Sequence, residues 1–510
     1  MSTIGAMRLF RLMLPALGVL FIGIPGVVYL LQPPVRIISI SAAEKVPLAA
    51  EAVIRSRRPS RVSLSIKGRN GAKDLKVSFD RKSRVHRIPV LGLYPDWKNS
   101  IEFSVTDDRG RVHSLTRSIR TEALPEEYPE IRVRTPLPEK AAPGMLFLHL
   151  GHYDDRMSYT PYPSAIDEAG DVRWFYAGDN GHLLRRLENG NLIIQQEDSI
   201  VEIDMLGRPT GVRWDIVPRD LHHDAVELPN GNFLALSSAK GSVDDEVVMI
   251  DRASGIILSR WDFRKILDPA RPVMPANLNK RDWLHLNGII YDARDDSMIV
   301  SGRDQSALIK VDIASGRIDW ILGNHEKWKE RFRPFLLQPE GEPFEWPWGQ
   351  HAPMLHPDDP SRILLFDNGN ERSYDEPLLP EENYSRIVEY RIDPEAGKVR
   401  QIWQYGRERG SELFAPFIGD ADYLSNGNRL ACFGGITRNL EGQAMELFDF
   451  EKEKVNMMKI SARIIELTDE TPARVVREII LADNDASTYE GYRSYRAEKI
   501  SLYPGSRFAE

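Results

Sequence analysis

His223-Asp224-Ala225-Val226-Glu227-Leu228-Pro229-Asn230-Gly231-Asn232-Phe233-Leu234 reads as a strand, a tight turn and the opening of a second strand. Asparagine and glycine adopt positive φ at little cost, so Asn230-Gly231-Asn232 is the turn of an antiparallel hairpin. A third strand follows over 247–251, then the turn Ala253-Ser254-Gly255 and a strand ending Arg260-Trp261-Asp262. The plan recurs on both sides. His182 leads to Asn189-Gly190-Asn191, Gly207 and Arg213-Trp214-Asp215; His285 leads to Asp295-Asp296, Ser315-Gly316 and Asp319-Trp320. His351 leads to Asp358-Asp359, Ala396-Gly397 and Ile402-Trp403, and Asp420 leads to Asn426-Gly427-Asn428. Four antiparallel strands per unit are the content of one propeller blade, and a repeated order of elements is the signature of such folds. Five units are complete. A sixth is split, with 165–176 supplying its early strands and 492–503 closing the ring. Irregular spacing and aromatic-rich strands fit an open β-solenoid poorly. The predicted fold is all-β, a six-bladed β-propeller over 131–510, with Trp214, Trp261, Trp320 and Trp403 packing the blades.

Ahead of the repeats, short alternating strands over 35–40, 62–66, 75–79 and 101–106 predict a small immunoglobulin-like β-sandwich over 35–130. Segment 1–34 is different. Arg8 and Arg11 precede an uncharged run over 12–31, closed by Pro33-Pro34, and about 20 apolar residues suffice to span a bilayer. The run is too long for a signal-peptide core. An uncleaved transmembrane anchor is expected, with a cleaved signal as the alternative. The arginines place the N-terminus in the cytoplasm and the remainder outside, in the periplasm of a cell with two membranes. A net charge of −8, without basic stripe or tail, excludes a nucleic-acid binder, so any anion site is local. Cys432 is the single cysteine; it cannot form an internal disulfide and reads as a buried thiol in an apolar strand. Oligomeric state is not legible, and a homodimer is compatible with the sequence.

The innermost strand of each blade lines a propeller's channel, so the residues that open the repeats, His182, His223, His285, His351 and Asp420, should face one axial region. The plain alternative is that they mark strand starts and bond carbonyls. Asn287 lies two residues beyond His285, on the same strand face. Arg303 follows in Val300-Ser301-Gly302-Arg303-Asp304. Imidazoles, a carboxamide and a guanidinium make a donor-rich set suited to sulfate or phosphate oxygens. Three histidines could instead hold zinc, although Arg303 would repel the dication. Alternation of strand faces turns His223 inward and His222 outward. Arg372 either contacts ligand or fixes a blade by ion pairing; His325 reads as a loop residue, and His356, close behind His351, competes with it for the assignment. Arg493, Tyr495 and Arg496 could reach the rim without any spacing that requires it. The insertion 332–348, with Phe335, Phe344, Trp346 and Trp348, is either an aromatic rim or a packed surface loop.

Leu221-His222-His223-Asp224, Asp282-Trp283-Leu284-His285-Leu286-Asn287, Ser301-Gly302-Arg303, Trp348-Gly349-Gln350-His351-Ala352-Pro353 and Asp367-Asn368-Gly369-Asn370-Glu371-Arg372 resemble, in this order, the bacterial arylsulfotransferase family. The resemblance covers about 35–505. It implies ping-pong transfer of a sulfuryl group from an aryl sulfate to a phenol, without nucleotide donor, cofactor or metal. The histidine matching His351 would be the nucleophile, His223, His285 and Arg303 its catalytic partners, and Asn287, His222 and Arg372 substrate contacts. A neutral imidazole is a competent nucleophile near pH 7, and a loose transition state needs mostly positioning and charge stabilisation. Two rivals are a catalytically silent propeller that binds an anionic or aromatic ligand or a protein, and a metal-dependent hydrolase or lyase.

Overall fold

The computed structural model describes residues 33–154, 158–181, 184–196, 199–215, 221–272, 281–446, 458–482, 485 and 487–503. The chain is all-β. The expected membrane span over 12–31 lies outside the described residues, among which no helix is long and apolar enough to cross a membrane.

Strands Val35–Ala42, Ala49–Ile66, Leu75–Leu91, Lys98–Asp107 and Val112–Arg120 form the N-terminal domain as one continuous sheet. Ala49–Ile66 pairs with Val35–Ala42 along its first half and with Lys98–Asp107 along its second, while Leu75–Leu91 follows its other side throughout. The register shifts between Arg55 and Ser60 mark the break between the halves. This strand is far longer than 62–66, because Arg55-Ser56-Arg57-Arg58-Pro59-Ser60-Arg61 reads as a polar turn. In fact Ile54, Ser56, Ser60 and Val62 are buried and alternate with arginines that stay at least partly in solvent.

Six further sheets follow, of the kind that build a propeller. Each of the second to fifth repeats supplies its own first strand: Leu221–Glu227, Leu286–Asp292, His351–Leu355 and Asp420–Tyr423. Leu184–Arg186 opens the preceding sheet; His182 lies outside the described residues. In the split sheet the order is Gly491–Ile500, Met145–Tyr153, Tyr159–Ile166, Val172–Phe175. The C-terminal strand is thus the first of its sheet, and 165–176 supplies the last strands, not the early ones. Met145–Tyr153, which directly follows Pro143-Gly144, is the strand missing from the sequence reading. A second long-range closure sets Ile131–Arg134 on the outer edge of the Asp420 sheet. The first strands touch in succession from Leu184–Arg186 to Gly491–Ile500.

Neighbouring sheets are hooked together by outer-strand tryptophans. The indole N–H of Trp174 donates to Met205 O at 2.9 Å, Trp214 to Arg252 O at 2.7 Å, Trp261 to Ile313 O at 3.2 Å and Trp403 to Glu470 O at 3.0 Å. Each acceptor lies beyond the third strand of the next sheet, so one device repeats, and its ring fills the space between sheets. A Cβ on Gly255 would stand 2.7 Å from the Trp214 ring, which makes that turn glycine a packing requirement as well as a φ requirement. The insertion 332–348 is a packed surface loop. Gln338–Pro339 pairs in parallel with the outer strand Lys398–Tyr405, Phe344 and Trp346 stack edge to face, and Phe332 and Trp348 are buried. The N-terminal domain shares one apolar cluster with the split sheet, and Tyr503 Oη bonds both the N–H and the C=O of Leu91. Cys432 is buried in its strand, as expected.

Candidate active site

Three successive first strands start irregularly. The pairing shifts between Leu221 and Ala225, between Leu286 and Gly288, and between His351 and Met354. His223, His285 and Ala352 take φ of 54°, 50° and 47° at these points. None is glycine, so each such conformation costs about 1–2 kcal/mol. Bulges re-aim side chains, and strain of this sort collects where a geometry is needed. The outcome is a convergence of rings: His223 and His285 have centroids 4.9 Å apart, and Tyr495 stands 6.2 Å from His223 and 6.5 Å from His351.

His351 is buried and its tautomer is set by its neighbours. Its Nδ1 lies 2.7 Å from Asn368 Oδ1. The Asn368 amide nitrogen donates to Ala415 O and Ile418 O, both at 2.8 Å, so the oxygen must face the imidazole. Oδ1 can only accept; Nδ1 therefore carries the hydrogen, and the lone pair of the neutral ring sits on Nε2. Burial, with the charge of Arg303 added, pushes the His351 pKa down to about 3. The ring is thus neutral at pH 7. The flanking loops are equally constrained. Asp367 Oδ1 accepts from Trp348 N and Gly369 N, and Asn370 Nδ2 donates to Pro416 O and Glu446. Gly349 has φ 63°, and a Cβ there would lie 2.0 Å from Asn370 Oδ1. Gln350 clamps the strand to its neighbour: its side chain donates to Ser301 Oγ, Gly302 O and Ala307 O, and its carbonyl accepts from Asn287 Nδ2 at 2.8 Å.

His285 has the opposite character. Its Nδ1 lies 2.7 Å from Asp282 Oδ2. Burial opposes the charged ring, but the Asp282 hydrogen bond and charge outweigh it and raise the pKa. The protonated ring then presents Nε2–H. Arg303 N donates to His285 O, and the Arg303 guanidinium is buried against Asp304 at 2.7 Å. His222 does not face outward. The left-handed turn at His223 breaks the alternation of faces, and both rings converge on Asp244: His222 Nε2 at 3.3 Å, His223 Nδ1 at 3.9 Å. Burial lowers the His222 pKa despite that carboxylate.

The remaining expected contacts divide cleanly. Asn287 is buried beside the strand His351–Leu355 and spends one Nδ2 hydrogen on Gln350 O. Arg372 is held by ion pairing within its blade, the second of its two readings: its three guanidinium nitrogens reach Asn383 Oδ1, Asp367 Oδ2 and Tyr384 O, and it stacks on Tyr384. Positive φ at Glu371 and Arg372 turns it into its own blade. Asp420 belongs to the other end of the first strands, where a cavity of about 450 Å³ is lined by Arg185, Asp420, Asp422, Arg496 and Glu498. Arg496 bridges Asp224 and Asp420, and Arg493 stacks on Tyr159. His325 bonds Leu337 O, a loop residue as read, and His356 is turned to its own loop, where it accepts from Asp358 N and Asp359 N. Asn368, Asp282, Asp244 and Tyr495 are the residues that the sequence left without a role. Asp282 three positions before His285 was the one local signal. Tyr495 is buried with no hydrogen-bond partner on its hydroxyl among the described residues, and it stands on the strand that completes the split unit.

Residues 130–493 match the family described as Arylsulfotransferase (ASST), and residues 37–123 match the Arylsulfotransferase Ig-like domain. The chain belongs to the arylsulfotransferase family. Two proteins called arylsulfate sulfotransferase AssT are similar to it, from Escherichia coli O6:H1 at 25% identity and from Lelliottia amnigena at 26%; each alignment covers 76% of this chain and 83% of the relative. Among solved structures, hydrazine synthase of Kuenenia stuttgartiensis aligns over 61% of this chain and 69% of its own, with 13% identity and a TM-score of 0.33. A likeness of that size bears on neither fold nor function. The family match makes the chain an arylsulfotransferase by descent; it supports neither a membrane anchor nor a homodimer.

Proposed function

We propose that this arylsulfotransferase moves a sulfuryl group from an aryl sulfate to a phenol by two displacements through a sulfohistidine at His351. The observation that carries the reading is the bond from His351 Nδ1 to Asn368 Oδ1, which leaves a neutral, buried Nε2 lone pair. In the first step Nε2 attacks sulfur, the S–O(aryl) bond breaks, and the departing phenolate takes the Nε2 proton of His285. In the second, an acceptor phenol returns a proton to His285 as its oxygen attacks sulfur and the N–S bond breaks. His223, Arg303 and the second Nδ2 hydrogen of Asn287 offer donors to the sulfuryl oxygens, where charge gathers in a loose transition state.

We further infer a closed ring of six blades, with 131–510 as the propeller and 35–130 as the accompanying domain. Six small sheets, the succession of first strands and the return of Gly491–Ile500 onto Met145–Tyr153 support it. The uncharged run over 12–31 supports a tethered, extracytoplasmic enzyme. The deciding experiment is transfer from 4-nitrophenyl sulfate to phenol, wild type against His351→Asn. Nitrophenolate release that requires phenol, parallel initial-rate lines and a sulfuryl adduct on the His351 peptide are expected. Release without an acceptor would indicate a hydrolase, and no turnover with several phenols would indicate a silent binding propeller.

A further inference from the structure

Asp282 holds His285, but Asp244 stands among the histidines with no part in the transfer. We propose that Asp244, with the imidazoles of His222, His223 and His285, forms a binding site for one divalent transition-metal ion of the zinc class.

The geometry points to Asp244 as the centre. It is common to two sets, His222, His223, Asp244 and Asp244, Asp282, His285, in each of which the ligand atoms lie within 4.8 Å of one another. Zinc bonds of about 2.0–2.1 Å put neighbouring ligand atoms about 3.4 Å apart in a tetrahedral shell. The separations from Asp244 lie on both sides of that value: His222 Nε2 at 3.3 Å, His285 Nδ1 at 3.5 Å and His223 Nδ1 at 3.9 Å. Three imidazoles and a carboxylate suit zinc, copper or nickel, whereas calcium and magnesium call for oxygen ligands. Asp244 has a further support, since its N–H donates to Ser238 Oγ at 3.0 Å and its φ is 49°. His223 and His285 share that left-handed conformation, so three of the four ligands are aimed by strained backbone.

The electrostatic objection raised by Arg303 is met by Asp304, its own buried counter-ion at 2.7 Å. Asp244 and Asp282, 2.7 Å from His285 Nδ1, then balance a dication. An ion here uses imidazole nitrogens of His223 and His285 that would otherwise orient those rings toward sulfuryl oxygens. Metal and aryl sulfate therefore exclude one another; that consequence, unlike the site, rests on the sulfuryl-transfer reading.

The test uses tag-free full-length protein stripped with chelator and titrated with zinc against a chromophoric competitor. Wild type should take up one equivalent, and cobalt should give the absorption of a nitrogen-ligated tetrahedral ion. Asp244→Asn and His222→Asn should each weaken zinc by more than about tenfold, while His351→Asn, which removes no ligand, should bind as wild type. In unmutated protein, zinc should protect His222, His223 and His285 from diethyl pyrocarbonate, which keeps the test independent of variant folding. In turnover, zinc should compete with 4-nitrophenyl sulfate. Sub-stoichiometric uptake, undiminished affinity in both ligand variants, or protection of other histidines alone would overturn the site. Stoichiometric binding by a chain that transfers no sulfuryl group would sustain the site and remove only its inhibitory meaning.

Discussion

The same first strands end in two different chemistries. At the His223, His285 and His351 end, backbone conformations are left-handed and pairing is bulged, and one ring is pushed toward its neutral form while its neighbour is pushed toward its charged form. At the other end, Asp224 accepts from Arg185 and from Arg496, which also faces Asp420, and the strand Asp420–Tyr423 pairs without a shift. The first end spends conformational strain on directing side chains. The second neutralises buried charge by pairing, which stabilises a junction between sheets but leaves few groups to act on a ligand. The difference teaches that the histidines converge where three successive first strands start with bulged, left-handed backbone.

The comparison can be tested in order of expected effect. His351→Asn should reduce transfer by about 10⁴-fold or more, measured as phenol-dependent nitrophenolate release, with thermal stability nearly unchanged. Asn368→Leu removes the group that fixes the Nε2 lone pair and should cost about 10²-fold or more in kcat with a smaller effect on KM; an equal fall in stability would make Asn368 merely structural. Trp214→Ala should destabilise by about 3–5 kcal/mol in denaturant titration, because it empties the space between two sheets and removes the bond to Arg252 O. Asp282→Asn should move the alkaline limb of kcat to lower pH by about one unit. The sign follows from the raised His285 pKa: the acid is fully protonated at low pH and is lost as pH rises through that value. No acid limb should come from His351 above about pH 3.

The smallest effect is expected at the carboxylate end. Burial lifts the Asp420 pKa from 3.8 to about 6, with Asp422 raised beside it. The native state therefore prefers the protonated form. That contribution to stability is complete below the unfolded value and is lost as pH rises through about 6. Asp420→Asn should flatten the decline in melting temperature across this window while leaving transfer within about threefold. A large loss of transfer would erase the contrast between the two ends.

Much of this was legible in order rather than in detail. Asn-Gly-Asn turns and recurrent tryptophans marked four-strand units because hairpin turns and sheet packing are local demands. His223, His285 and His351 were found because each opens a unit. The split sheet was misread, since Gly491–Ile500 finds its partner Met145–Tyr153 more than three hundred residues away, where no spacing can indicate it. Arg372 sat in a suggestive stretch, but its neighbours Asp367, Asn383 and Tyr384 claim it only after folding. The inward turn of His222 required a positive φ that strand alternation forbids.

The sequence by itself determined the all-β repeat, the family and the residue types at the head of each unit. These depend on turn chemistry and side-chain identity, which a chain carries without its fold. Only the tertiary structure decided which nitrogen of His351 keeps its lone pair, that the charged form of His285 is favoured, and that Asp244 gathers three imidazoles. Those properties arise from burial and from partners on other sheets, and both exist only once the sheets have packed together.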